Sequence, residues 1–302
     1  MIDFKHVSVM PSEVLELLKP ERGGVYVDGT LGGGGHSKLI LDALPQNGKL
    51  IGIDRDENAI AAASTKICDS RFTAVRGNFH NIGEILKVPV DGILLDLGVS
   101  SHQLDTAERG FSYRFDGPLD MRMDNRAKLT AYDVVNSHSE KDLVKLIFEF
   151  GEDKFARRIA RAICLNRPIN TTLQLAEIIT NATSKQRFGQ PHPAMRAFQA
   201  IRIEVNNELA PLRNALNAAI TLLNPGGRLV VISFHSLEDR IAKTTFQKAA
   251  SPCECPREIP YCVCGKKPQV KIITKKPRLP SEEELMENKR AHSSKLRAVE
   301  RV

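Results

Sequence analysis

At 302 residues the chain exceeds one average domain, and a hydrophobic fraction of 42% beside 26% charged residues is ordinary for a globular protein. No apolar run approaches the roughly 20 residues a membrane helix needs, and the opening MIDFKHVSVMPSEV lacks the basic flank and apolar core of a secretory signal. The net charge of +7 is uneven, at −4 for residues 1–105, +4 for 106–205, +1 for 206–265 and +6 for 266–302, which excludes an evenly neutral surface and points to a polyanionic partner for the middle and the tail.

The first predicted element is a short amphipathic helix, Pro11 to Lys19, with Val14, Leu15, Leu17 and Leu18 on its apolar side. Val25 to Val27 then form a β-type run ending in Asp28, followed by the turn Gly29 to Gly35 (GTLGGGG) and a helical pattern from Ser37 to Ala43. A glycine-rich strand-to-helix turn lets backbone approach a ligand closely. By itself it fits NAD, FAD, a nucleotide or S-adenosylmethionine equally. Lys49 to Asp54 is the second strand, and Asp54 lies 22 residues after Gly32, the spacing at which an acidic side chain takes ribose hydroxyls. A helix from Glu57 to Ser64 follows. Phe72 to Arg76 is the third strand, leading into Gly77-Asn78-Phe79, and Val90 to Asp96 is the fourth, apolar enough to be buried on both faces.

After Asp96 the rhythm changes. Between about 104 and 193 no buried strand is expected; a Gly/Arg/Asp-rich segment (Gly110 to Asp124) precedes helices at Ala131 to Asn136, Glu140 to Phe150, Asp153 to Leu165 and Leu173 to Asn181. Ser139 and Asp142 read as a capping box, and Lys154, Arg157, Arg158 and Arg161 as a basic face. One long helix, Ala194 to Leu223, is expected to return the chain to the sheet, ended by Asn224-Pro225-Gly226-Gly227. Arg228 to Phe234 is the fifth strand, Ser236 to Asp239 caps the next helix, and Val270 to Thr274 and Lys295 to Val299 complete the sheet. The domain expectation is therefore an α/β domain from 1–104 and 194–302, interrupted by an all-helical substrate-recognition insertion at 105–193.

Asp28 with its loop, Asp54, Asn78-Phe79 and Asp96 all fall at the carboxyl ends of parallel strands, where open α/β sheets bind ligands. An adenosyl amino-acid cofactor uses every one of them: Gly34, Gly35 and His36 at the amino-acid end, Asp54 on the ribose, Phe79 against adenine and Asp96 at the reactive end. A dinucleotide uses only the first part well, and the loop departs from G-x-G-x-x-G spacing, which favours S-adenosylmethionine. His235 stays unassigned. Cys253-x-Cys255 and Cys262-x-Cys264 make a four-cysteine cluster able in principle to bind zinc; the C-x-C spacing is tighter than the usual knuckle, so reduced loop thiols are the reading and no metal is assigned. Six cysteines without an export signal favour a reducing, cytoplasmic setting.

Four blocks then carry a resemblance: DGTLGGGGH (Asp28 to His36), DLGVSSHQLD (Asp96 to Asp105), ERGFSYRFDGPLDMRMD (Glu108 to Asp124) and ISFHSLEDR (Ile232 to Arg240), joined by KRAHSSKLR (Lys289 to Arg297). Together they resemble the MraW/RsmH family of small-subunit rRNA cytosine-N4 methyltransferases, across essentially the whole chain. The resemblance implies a class I, Rossmann-like methyltransferase sheet with an inserted helical subdomain, S-adenosyl-L-methionine as methyl donor, and a cytosine in the decoding region of 16S rRNA as acceptor. It carries the cofactor contacts onto Gly34, Gly35, His36, Asp54, Phe79, Asp96 and Gln103. The partners implied are 16S rRNA or the small ribosomal subunit and no membrane, with a homodimer as the candidate assembly. Catalytic residues are left unassigned, since the turn Asp96-Leu-Gly-Val has neither the proline nor the aromatic of DNA amino-methyltransferases. The rival readings are a methyltransferase on another RNA base and a non-catalytic ribosome-assembly factor with a retained cofactor fold.

Overall fold

The computed structural model describes residues 8–183, 191–256, 261 and 263–302. In chain order its elements are α1 (Pro11–Leu18), β1 (Val25–Asp28), α2 (Gly35–Ala43), β2 (Lys49–Asp54), α3 (Glu57–Lys66), β3 (Phe72–Arg76), α4 (Ile82–Ile85) and β4 (Val90–Asp96). There follow α5 (Ser101–Asp105), α6 (Ala131–Ser137), α7 (Glu140–Gly151), α8 (Ala156–Leu165), α9 (Thr172–Ala182) and α10 (Met195–Asn206). The chain closes with α11 (Leu212–Leu222), β5 (Leu223–Ser233), α12 (Ser236–Ala250), β6 (Val270–Ile272), α13 (Glu282–Glu287) and β7 (Lys295–Arg301). No helix among the described residues is long and apolar enough to cross a membrane.

These elements form two compact units, Met1–Gly98 with Ala210–Val302, and Val99–Leu209. The first is built on a seven-stranded sheet of order β3-β2-β1-β4-β5-β7-β6, in which β1 to β5 run parallel and β7 is antiparallel to both neighbours. This is the Rossmann-like α/β sheet expected from the sequence. Its strands alternate with a period of two, as a sheet covered on both faces requires. Ile93 and Leu95 of β4 and Leu229 and Val231 of β5 join Leu216, Ile220 and Phe246 of α11 and α12 on one face. Leu94, Val230 and Ile232 pack instead with Val14, Leu17, Ile40 and Leu41 of α1 and α2 on the other. The order reverses between β1 and β4, which places the topological switch point at the carboxyl ends of those two strands.

The second unit is helical. Its core gathers Leu143 and Ile147 of α7, Ile159 and Ile163 of α8, Leu175 and Ile179 of α9 and Phe198 and Ile201 of α10. Helix starts are set by local chemistry: Thr130 with Asp133 caps α6 and Thr171 with Gln174 caps α9, each reciprocally. At α7 the Ser139 hydroxyl accepts from the Asp142 N–H at 3.2 Å and donates to the Asp142 carboxylate at 2.6 Å, so the expected box is only half made. The Gly/Arg/Asp-rich segment belongs to this core. Phe111, Leu119, Met121 and Met123 are buried in it, and a Cβ on Gly117 would sit 1.9 Å from the Ala107 carbonyl oxygen. The Asn206 side chain spans its backbone, accepting from Met123 N–H and donating to the Met121 carbonyl, both at 2.8 Å.

Three expectations need correcting. The single helix from 194 to 223 is two helices, because Asn207 turns left-handed (φ 47°) and Pro211 has no N–H to continue the ladder. The unit boundary falls in this break and before Val99, so the helical unit covers 99–209 rather than 105–193 and includes α10. The stretch Asn224 to Gly227 bulges within β5, with Leu223 already paired to Val90, rather than preceding the strand.

Candidate functional site

Parallel register puts the carboxyl ends of β2, β1 and β4 side by side: Asp28 pairs with Gly52 on one side and Leu94 on the other. The glycine loop is laid across these ends by backbone bonds, Leu31 N–H to the Ile53 carbonyl at 3.0 Å and Gly34 N–H to the Leu31 carbonyl at 2.8 Å. Gly34, the residue before α2, has φ 73°, and a Cβ there would stand 3.0 Å from Ile67 Cδ1 and 3.2 Å from Ala63 Cβ. A side chain at that position would be strained by its backbone and crowded by its neighbours. A Cβ on Gly33, by contrast, would meet nothing within 4 Å, so the loop offers open backbone on that side.

Three carboxyl groups lie beneath and beside the loop. Asp54 accepts from Gly32 N–H and Asp56 N–H, each at 2.8 Å, which ties the loop to the end of β2. Burial nevertheless holds its carboxyl above the ordinary carboxylate range. Asp28 is fully buried, accepts from the Ser37 hydroxyl at 2.7 Å and from Thr30 N–H at 3.1 Å, and is pushed up to about 6 by burial against those bonds. Asp96 donates its backbone N–H to the Thr30 hydroxyl at 2.7 Å. Its Oδ2 lies 3.7 Å from Nε2 of the buried His36, and its Oδ1 is buried with no hydrogen-bond partner among the described residues. Burial, then the charges of Asp28 and Glu238, hold the Asp96 carboxyl well above the usual range.

Phe79 opens a short 3-10 turn after β3 and stands beside the loop: a Cβ on Gly29 would be 3.3 Å from the Phe79 Cβ. Its ring meets His80 edge-on at 4.4 Å, and burial followed by the Arg55 charge lowers His80 to about 4, so that imidazole is neutral at pH 7.

The first unit thus brings together Gly34, Gly35, His36, Asp54, Phe79 and Asp96. Gln103 belongs to the other unit. There its side chain accepts from Ser100 N–H at 3.1 Å and its own N–H donates to the Ser100 hydroxyl at 3.2 Å, a reciprocal cap on α5. Sequence reasoning missed Thr30 and Ser37, the hydroxyls that hold Asp28 and orient Asp96. Their signal is a Ser at the start of an otherwise apolar helix face (HSKLILDAL) and a Thr two residues past the strand-terminal Asp. The cap on α12 also lies one residue earlier than expected: His235 is the capping residue, and buried Glu238 accepts from Phe234 N–H at 2.9 Å. Asp239 instead takes Arg297 in a two-bonded ion pair at 2.6 and 3.1 Å.

The strand ends thus gather three carboxyls, each raised chiefly by burial. A positively charged ligand fits such a set, because it favours the charged form of carboxyls that burial holds above their ordinary range. Asp28 sets the sign of the pH dependence. Its raised value in the fold means that its contribution to stability is full below about 4 and lost as pH rises through about 6, close to 3 kcal/mol for about two pH units. The unliganded protein is therefore expected to lose stability between about pH 4 and 6. A cationic ligand at the site should do the reverse, binding more tightly as pH rises over that window and releasing protons. Calorimetry of S-adenosylmethionine binding in buffers of different ionisation enthalpy checks this; pH-independent affinity without proton release would contradict it.

In the helical unit, α8 buries Ala156, Ile159, Ala160 and Ile163 and turns Arg157, Arg158 and Arg161 outward, with Lys154 exposed just before it. Such a cationic face suits a polyphosphate backbone.

Residues 3–302 match the MraW methylase family. A protein of Geotalea daltonii named ribosomal RNA small subunit methyltransferase H is 54% identical over 312 residues, covering 100% of both chains. Proteins of the same name from Carboxydothermus hydrogenoformans and Clostridioides difficile are 50% and 51% identical, covering 100% of this chain and 99% and 100% of their own.

Proposed function

The chain belongs to the MraW methylase family, and from that premise we propose that it methylates N4 of a cytosine in the decoding region of 16S rRNA. It is an S-adenosylmethionine-dependent methyltransferase of small-subunit rRNA. The observation that carries the cofactor half of the reading is the row of raised carboxyls at the ends of β1, β2 and β4, with the partnerless Asp96 Oδ1 among them. When bound, S-adenosylmethionine supplies an electrophilic methyl group on a cationic sulfur. Gly33 leaves backbone open to it, Gly34, Gly35 and His36 would take its amino-acid end, Asp54 its ribose hydroxyls and Phe79 its adenine, with Asp96 bordering the reactive end. The family resemblance adds Gln103 to these contacts.

The cytosine amine is a weak nucleophile because its lone pair is delocalised into the ring. Asp96 would raise its reactivity by accepting a hydrogen bond from the amine; as the nitrogen takes the methyl carbon, the carbon–sulfur bond would break to release S-adenosylhomocysteine, and the amine proton would pass to the Asp96 carboxylate. A base whose affinity for protons is raised by burial is better matched to this task near neutral pH than an ordinary aspartate. Orientation supplies the rest, the base being held in line after leaving its stack. The exposed arginines of α8 and the basic tail supply the phosphate contacts. The test is incubation with labelled S-adenosylmethionine and small subunits from cells lacking the protein. Label is expected in RNA; label in ribosomal protein would refute the acceptor class.

A further inference from the structure

The segment between α12 and β6 contains a site of a different kind. None of the described residues between Ser251 and Gln269 is buried; Tyr261 is 80% and Val263 75% exposed. A loop of that length without a core of its own is uncommon in a compact domain unless something else holds it. Within it, the sulfurs of Cys253, Cys255 and Cys264 nevertheless all lie within 4.8 Å of one another. Thiolates about 2.3 Å from a tetrahedral zinc stand about 3.8 Å apart, so these three reach that geometry with sub-ångström shifts.

Two further features match a thiolate–metal site rather than a chance gathering. Val263 donates its backbone N–H to Cys255 Sγ at 3.4 Å, the kind of outer bond that orients a sulfur ligand and tempers its charge. Gly265, directly after Cys264, is left-handed at φ 64° with nothing within 4 Å of an added Cβ, which lets the chain turn back immediately behind its sulfur. Cys262 lies outside the described residues and is not counted among these ligands.

We propose that Cys253, Cys255 and Cys264 bind a structural zinc ion that staples the α12–β6 loop. The sequence alone assigns no metal to these thiols. The ion is distant in role from methyl transfer: it replaces the missing core of the loop and fixes the start of β6, whose Val270 is buried against α12 residues. Ligand deprotonation on binding means that zinc affinity should fall with falling pH.

The full chain, produced in zinc-supplemented medium and purified with a non-chelating reductant, tests this by elemental mass spectrometry. About one zinc per chain is expected. The triple substitution Cys253→Ser, Cys255→Ser, Cys264→Ser should abolish it while S-adenosylmethionine still protects the chain against heat. Should that variant fail to fold, cobalt titration of the wild-type apoprotein carries the test. Strong visible bands of tetrahedral thiolate-bound cobalt support the site, and the weak spectrum of octahedral cobalt overturns it. Substoichiometric zinc in the wild type, or zinc undiminished in the triple variant, overturns it equally.

Discussion

Asp96→Asn is expected to slow methyl transfer by about 10²-fold or more while changing the dissociation constant for S-adenosylmethionine by less than about tenfold. The substitution keeps the shape of the side chain and the backbone bond from residue 96 to the Thr30 hydroxyl, so the strand end should stay in place. What it removes is the capacity to take up a proton. Asparagine resembles the protonated form that burial and the neighbouring Asp28 and Glu238 charges favour in the unliganded site, so the fold should not suffer and is expected to become less sensitive to pH. Single-turnover rates at saturating cofactor separate chemistry from binding. An unchanged rate with unchanged affinity would remove Asp96 from the reaction.

Asp54→Ala is expected to act on the other parameter, weakening S-adenosylmethionine binding by about 10²-fold or more with little effect on the rate at saturation. Two losses combine. The Gly32 and Asp56 N–H groups lose the carboxylate that accepts from both at 2.8 Å, which frees the glycine loop from β2. The ribose hydroxyls lose their acceptor as well. Hydrogen bonds to a charged group contribute roughly 1.5–3 kcal/mol each, and about 1.4 kcal/mol is tenfold in affinity. Titration calorimetry reads the total, and a cofactor analogue lacking the ribose 2′-hydroxyl isolates the second loss. That analogue should bind more weakly than the cofactor to the wild type and about equally to the variant. Binding by Asp54→Ala within about threefold of wild type would contradict the assignment.

Much of the first unit was legible because its strands are short apolar runs closed by charged residues. β2, β3 and β4 begin and end at the residues expected, each limit marked by Lys49 and Asp54, Phe72 and Arg76, or Val90 and Asp96. Buried parallel strands depend on little beyond their own apolar content. The misreadings have a common cause in tertiary contacts. The helix break at 207–211 was written in Asn207 and Pro211, yet the apolar periodicity on both sides runs through it, and only the separate packing of α10 and α11 reveals two helices. The ERGFS and DGPLDMRMD blocks are rich in charge and glycine, with no helical or strand period to mark a buried face. They are in large part core, because glycines at 110 and 117 let distant backbone segments touch. Among the site residues, Asp54 was legible from spacing, whereas Thr30 and Ser37 act through bonds that no local pattern advertises. Gln103 shows the opposite case: its capping bond to Ser100 is local and readable, and its place at the cofactor rests on family resemblance.

The central claim is the acceptor atom, and nucleoside analysis of the methylated RNA tests it most directly. Small subunits from cells lacking the protein would be labelled with S-adenosylmethionine, the 16S rRNA digested, and the labelled nucleoside identified by mass spectrometry. The account predicts N4-methylcytidine from a fragment of the decoding region. Label at the cytosine ring carbon, on another base or elsewhere in the rRNA would keep the cofactor site and discard the acceptor. Absence of label despite measured cofactor binding would contradict catalysis itself and leave the assembly-factor reading in its place.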